Sequence, residues 1–199
     1  MDENIFKKIR ALKKHLEMLH DELDEIPQML DDGPYLASYD ILTYENQGTL
    51  NPAWRDKCDE WIAAGRGFSD LVNSLNTIQS DDLLIQLKVI LDTNIEFEAI
   101  KARSEWSDSW EYRRTNEKVL MEKLLYILGE RKIHESAQLL NQFLDHNIWP
   151  IQVINTLGVV GNKDSVERLR KKLKSDWDLE REAARRVLPG LEQDILSRD

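Results

Sequence analysis

Histidine and cysteine are the side chains from which a metal site or a nucleophile is most readily built, and this chain has few of them. They are His15, His20, His134, His146 and Cys58. His15 and His20 are five residues apart, so they do not share one face of a helix. A metal ion needs several such ligands that converge. We therefore expect no metal site and no cofactor.

The motifs of covalent and phosphate chemistry are also missing from the sequence. No base lies near Cys58 in sequence, so this residue is expected to be a small buried apolar group. Gly65-Arg66-Gly67 lacks the Lys-Ser/Thr pair and the preceding strand of a phosphate-binding loop, and it is expected to end a helix. No segment resembles a nucleophile elbow. We expect that the protein is not an enzyme.

The chemistry that this sequence does offer is charge. Residues 1–99 carry 9 Lys and Arg against 20 Asp and Glu, whereas residues 100–199 carry 18 against 17. The acidic excess includes seven carboxylates between residues 17 and 32, where there is no Lys or Arg: Glu17, Asp21, Glu22, Asp24, Glu25, Asp31 and Asp32. Such a field repels nucleic acid and attracts basic surfaces. The alternative is a solvated helix face that only keeps the chain in solution.

A polar stretch at residues 104–110 carries two tryptophans, Trp106 and Trp110. An exposed tryptophan is unfavourable unless it packs or binds, and tryptophan is enriched at the centres of protein interfaces. We therefore include both residues among the candidate partner contacts. The alternative is that the two rings fill the junction between the two halves of the chain.

Composition indicates an all-α fold. Apolar residues make up 41% of the 199 residues, which is too much for a disordered chain. Only eight Gly and five Pro interrupt long runs of Leu, Glu, Lys, Arg and Ala, so many short strands are not expected. There is no apolar run long enough to span a membrane and no signal-peptide core, and a single cysteine gives no internal disulfide. We expect a cytoplasmic protein.

The N-terminal region contains the clearest periodic pattern of the sequence. Apolar residues spaced alternately by four and three form a heptad seam: Ile5, Ile9, Leu12, Leu16, Leu19, Leu23, Ile26 and Leu30. Pro27 lies within this run and is expected to end or kink the helix near Ile26. The seam is expected to pack on neighbouring helices of the same chain, with a homodimeric coiled coil as the less favoured alternative.

Three further helices are expected before residue 104. Asn51 as N-cap and Pro52 at the first helical position open a helix that ends at Gly65 and Gly67. A short helix is predicted from Ser69 to about Leu75. Ser80 is expected to cap a long helix that has Asp81-Asp82 in its first turn and ends near Arg103.

The last third of the chain repeats with a period of about 29 to 31 residues. Leu-Gly or Leu-Pro-Gly marks fall at Leu128-Gly129, Leu157-Gly158 and Leu188-Gly190. Each unit is expected to be a helix that ends in Gly, a polar turn, and a second helix that begins near Ser136 or Ser165. One such helix pair cannot bury its apolar stripe alone, so the pairs must stack. Cations at residues 168–174 are expected to face water.

The segment VINTLGVVGNKDSVERLRKKLKSDWDLEREAARRVLPGL resembles HEAT-like repeats of the phycobilin lyase type. The residues that match their order are Gly158, Gly161, Asp164, Asp176, Ala183 and Ala184. The resemblance covers residues 115–199 or so and implies an α-solenoid, but fold alone does not imply a function. Some HEAT-repeat hydroxylases hold iron with repeated His-Glu pairs, and the one such pair here, His134-Glu135, falls short of that set.

Together these patterns predict an all-α protein with an acidic helical region at residues 1–107 stacked on HEAT-like helix pairs at residues 108–199. We expect it to bind a protein partner, as an immunity or antitoxin protein that masks a basic nuclease toxin. The carboxylates of this contact are Asp21, Glu22, Asp24, Glu25, Asp31 and Asp32. One alternative is a scaffold or assembly factor that binds through apolar side chains or the Trp106–Trp110 loop. Another is a HEAT-like lyase or DNA glycosylase, and the acidic net charge is unfavourable for a DNA glycosylase.

Overall fold

The computed structural model describes residues 3–26, 51–101 and 109–198, and within these ranges every regular element is a helix and no strand occurs. The all-α prediction is confirmed for this part of the chain. The helices are α1 (Glu3–Glu25), α2 (Pro52–Ser74), α3 (Ser80–Lys101), α4 (Ser109–Glu130), α5 (Ala137–Asp145), α6 (Pro150–Val160), α7 (Lys163–Lys172) and α8 (Asp178–Arg198). Short 3₁₀ turns at Leu75–Thr77 and His134–Ser136 precede α3 and α5. No helix of the described ranges has the length and apolar character that crossing a membrane requires.

The chain divides into two compact units, Glu3–Asn73 and Ser74–Asp199. This division falls at the end of α2, whereas the sequence predicted two regions, residues 1–107 and 108–199, within one continuous domain. Helix α3 lies in the second unit, where it packs on α4 and α5. The boundary at 107 and 108 stays a prediction, and charge composition does not report which helices pack together.

In the first unit, α1 and α2 form an antiparallel pair, since the end of α1 contacts the start of α2. The seam residues Ile9, Leu16 and Leu19 of α1 are buried, as expected for packing within one chain. Near the end of α1, Leu23 and Ile26 pack against a buried cluster whose members are Trp54 and Cys58. Helix α1 ends at Glu25, two residues before Pro27, because a proline removes a backbone donor and clashes with the preceding turn. The predicted end of the helix is confirmed.

Helix α2 begins as predicted but does not end as predicted. The Oδ1 atom of Asn51 accepts a hydrogen bond from the backbone N–H of Ala53 at 3.1 Å, which caps the helix. The predicted end at Gly65 and Gly67 and the separate short helix from Ser69 are wrong, since α2 runs unbroken to Ser74. A glycine costs about 1 kcal/mol in a helix relative to alanine. Burial of one large apolar side chain contributes about 1.5–3 kcal/mol, and α2 buries four residues on one face: Trp54, Cys58, Phe68 and Val72.

Helix α3 follows the sequence pattern closely. It begins at Ser80, so Ser80 is the first helical residue instead of the cap, and Asp81 and Asp82 lie in its first turn as predicted. Acidic side chains there interact favourably with the positive end of the helix dipole. The buried apolar residues are Leu83, Leu87, Ile90 and Leu91.

The second unit contains two rows of helices. Helix α4 packs on α6 and α6 packs on α8, while α3 packs on α5 and α5 packs on α7. The rows are joined by the pairs α3 with α4, α5 with α6, and α7 with α8. Helices α6 and α8 run in the same direction, since Asn155 contacts Arg186 and Gly161 lies against Leu191. Each row therefore places every second helix of the chain side by side.

The repeated Leu-Gly marks occupy related places in this unit, but they do not all end helices. Leu128, Leu157 and Leu188 are buried. Helices α4 and α6 end within two residues of their glycines, whereas α8 continues through Pro189 and Gly190 to Arg198, so the predicted end of the third unit is wrong. Burial of side chains before and after the proline, among them Ala183, Ala184, Leu188 and Leu191, holds α8 together across it.

Candidate functional site: the charged face of α1

The predicted partner-binding residues are only partly within the described ranges. Asp21, Glu22, Asp24 and Glu25 lie together in the last two turns of α1. Asp31, Asp32 and Trp106 lie outside the described residues, so their predicted roles stay predictions. Trp110 lies at the start of α4. The structure therefore brings four of the eight candidates to one place, the C-terminal end of α1.

Glu22 is half-buried and lies beside a cation. Its Oε2 lies 2.6 Å from Nζ of Lys57, which also contacts Oε2 of Glu60 at 3.0 Å. The contacts of Lys57 with Glu22 and Glu60 raise the pKa of the Lys57 ammonium group. Glu22 thus shares the cation of Lys57 with Glu60, and this contact helps to join α1 to α2.

Asp21, Asp24 and Glu25 are exposed. The Asp24 carboxylate is 67% exposed, with Nε2 of His20 3.8 Å away. The last turn of α1 contains no basic residue. The C-terminal end of a helix also carries the negative end of the helix dipole, so the field of these carboxylates and the field of the backbone add. This end of α1 is suited to contact a cationic surface.

The N-terminal half of α1 is basic, whereas its C-terminal end is acidic. The sequence contains this pattern, but the apolar spacing that identifies the buried seam does not reveal it. Lys7, Lys8 and Lys14 are exposed in the N-terminal half of the helix. Lys7 and Lys14 are seven residues apart, which places them on one face of a helix, and the same spacing leads on to Asp21. A helical period of the charged residues is the signal that identifies this face.

Histidine and cysteine side chains do not converge. Cys58 is buried, as predicted, and its burial, with a smaller effect of the Asp59 charge, raises the pKa of its thiol. His15 lies 3.7 Å from Glu60, and Nδ1 of His134 lies 3.2 Å from the carbonyl oxygen of Val160. Among the described residues, no group of three or more His, Cys, Asp and Glu side chains is placed to hold a metal ion.

Of the cations expected to face water, Arg170, Lys171 and Lys174 are exposed, whereas Arg168 and Lys172 are half-buried. Arg168 donates to both carboxylate oxygens of Asp145 at 2.9–3.0 Å, and Arg170 pairs with Glu192 at 2.7 Å. Lys172 Nζ lies 2.9 Å from the buried carboxylate of Glu180. These three cations bind neighbouring helices of the same unit because the two-row packing brings α5 and α8 alongside α7.

A shallow groove of about 350 Å³ lies between α7 and the last turns of α8. Its lining is mixed, with apolar side chains at Val166, Ile195 and Leu196 and charged ones at Lys163, Glu167, Arg170 and Glu192. Arg170 and Glu192 pair with each other, and Lys163 and Glu167 also carry opposite charges. The lining of the groove therefore has no cluster of like charges.

Protein-family models, curated proteins and solved structures each gave no match. The resemblance to HEAT-like repeats therefore stays a prediction.

Proposed function

We propose that this protein is a protein-binding α-solenoid whose acidic α1 end holds a basic partner, and that it acts as an immunity or antitoxin protein against a nuclease toxin. A nuclease that binds nucleic acid needs a basic surface for the phosphates. Carboxylates presented to that surface would occupy it in place of the nucleic acid.

The solenoid part of the proposal is supported by the contacts of the second unit. Helices two apart in the chain lie side by side, which gives the two rows that stacked helix pairs produce. Gly158 supports the same arrangement, since its lack of a side chain allows α6 to approach Val187 of α8. Such stacking leaves extended surfaces on which a protein can dock.

The single observation that carries the partner proposal is the cluster of exposed carboxylates at the negative end of the α1 dipole. Asp21, Asp24 and Glu25 face solvent there, and the last turn contains no cation. Acidic residues at this end of a helix reduce its stability by about 0.3–1 kcal/mol each. Their placement is therefore unfavourable for the free helix and favourable for binding a cationic surface.

The experiment compares two variants with the same change in charge. Where a neighbouring gene encodes a basic nuclease domain, a catalytically inactive form of that domain is the probe. Binding is measured by titration calorimetry at two salt concentrations, in solution dilute enough for the chain to be monomeric. We expect D24N/E25Q to weaken binding and to reduce its salt dependence. The control D59N/D70N removes two exposed carboxylates of α2. It should change the binding affinity and its salt dependence much less.

Two results would contradict the proposal. One is equal binding by D24N/E25Q and by the unmodified chain. The other is a gene neighbourhood that encodes no basic nuclease domain whose activity this chain inhibits.

A further inference from the structure

Six exposed residues form a single stripe along α1, on the side opposite to its buried seam. They are Lys7, Ala11, Lys14, Met18, Asp21 and Glu25. Their spacing alternates between four and three residues, which keeps them on one face of a helix. The stripe is basic in its first half and acidic in its second half, and the side chain of Met18, 50% exposed, lies near its middle.

The stripe is symmetric about its midpoint. Positions 7 and 25, 11 and 21, and 14 and 18 are each equidistant from Leu16. When two copies of such a helix lie antiparallel with their midpoints together, Lys7 of each copy faces Glu25 of the other. Lys14 then lies beside Met18 of the second copy, where its methylene groups cover the thioether. A parallel arrangement would instead place Lys7 against Lys7.

The acidic end of α1 is unfavourable for the stability of the helix by itself. Asp24 and Glu25 lie in the last turn of α1, at the negative end of its dipole. Both placements are unfavourable in an isolated helix. In an antiparallel pair each end lies beside the oppositely charged end of the other helix, so the same pattern becomes favourable.

We propose that the protein forms an antiparallel homodimer through this stripe, with a two-fold axis at the level of Leu16. The buried seam of α1 takes no part, because Ile9, Leu16 and Leu19 pack within the chain. The contact is small and mostly polar, so the dimer is weak and depends on concentration. The net charge of −10 opposes association, and salt of about 0.1 M screens this repulsion beyond about 10 Å. The dimer does not depend on the proposed function.

Sedimentation equilibrium of the full chain tests the dimer without any partner. At about 0.1 M salt we expect a monomer–dimer equilibrium that shifts towards monomer at about 1 M salt. Each of the variants K7E and E25K replaces two attractive contacts per dimer with repulsive ones and should weaken the dimer about tenfold. K8E is the matched control, because Lys8 is exposed but lies about 100° from Lys7 around the helix.

A mixture of the two weakened variants tests the antiparallel register. When K7E and E25K are combined, the heterodimer regains opposite charges at both contacts, and so does the homodimer of the double variant K7E/E25K. We expect both to associate as strongly as the unmodified chain. Helix content by circular dichroism should stay unchanged, since neither substitution opposes the helix dipole. A chain that stays monomeric at about 0.1 M salt, an effect of K8E equal to that of K7E, or no gain in the mixture would each overturn the proposal.

Discussion

At Gly158 the backbone of α6 lies directly against the side chain of Val187. A Cβ atom added there would be 2.6 Å from Cβ of Val187, and a branched side chain cannot move its Cβ away without a shift of α8. We therefore expect G158A to destabilise the second unit by about 1–3 kcal/mol, as measured by urea denaturation.

The matched control is Gly129, which also lies in a helix of this unit and carries one of the repeated Leu-Gly marks. No atom lies within 4 Å of the position that a Cβ would take at this residue. G129A should therefore increase stability by about 0.5–1 kcal/mol, because alanine is favoured over glycine in a helix. Equal effects of G129A and G158A would show that α6 and α8 do not approach each other as described.

At the scale of helices, local sequence determined where most elements begin, and packing determined where several of them end. The cap at Asn51 and the proline at 27 act through neighbouring backbone groups, so both could be predicted. Gly65 and Gly190 also looked like helix ends, but burial on other turns outweighs their local preference. The acidic end of α1 could be predicted from composition. The contact of Glu22 with Lys57 could not, because it depends on how α1 packs on α2.

The continuity of α2 gives a prediction at this scale. Gly65 lies within the helix without a positive φ, and a Cβ added to it would meet no atom within 4 Å. We expect G65A to raise the free energy of unfolding of the first unit by about 0.5–1 kcal/mol. If the chain instead turned at Gly65 in a left-handed conformation, the same substitution would lower stability, and the change in thermal midpoint would have the opposite sign.

For the whole molecule, the proposed dimer and the proposed partner use the same carboxylates. Glu25 faces Lys7 of a second copy in the dimer, and it faces a basic surface in the complex. The two states therefore exclude each other, so association with a second copy reduces the fraction of chains that can bind a partner. The apparent dissociation constant for the partner is the intrinsic constant divided by that fraction, so it rises as the fraction falls.

This competition predicts that a variant outside the acidic end improves partner binding. K7E weakens the dimer and leaves Asp21, Asp24 and Glu25 in place, so it should bind the inactive nuclease domain more tightly than the unmodified chain does. K8E makes the same change in charge at a position outside the stripe. Its binding measures the general attraction between a more acidic chain and a basic partner. The difference between K7E and K8E should be largest when the chain is concentrated and should vanish on dilution to the monomer. A difference that persists in dilute solution would mean that residue 7 contacts the partner directly and that dimerisation does not compete.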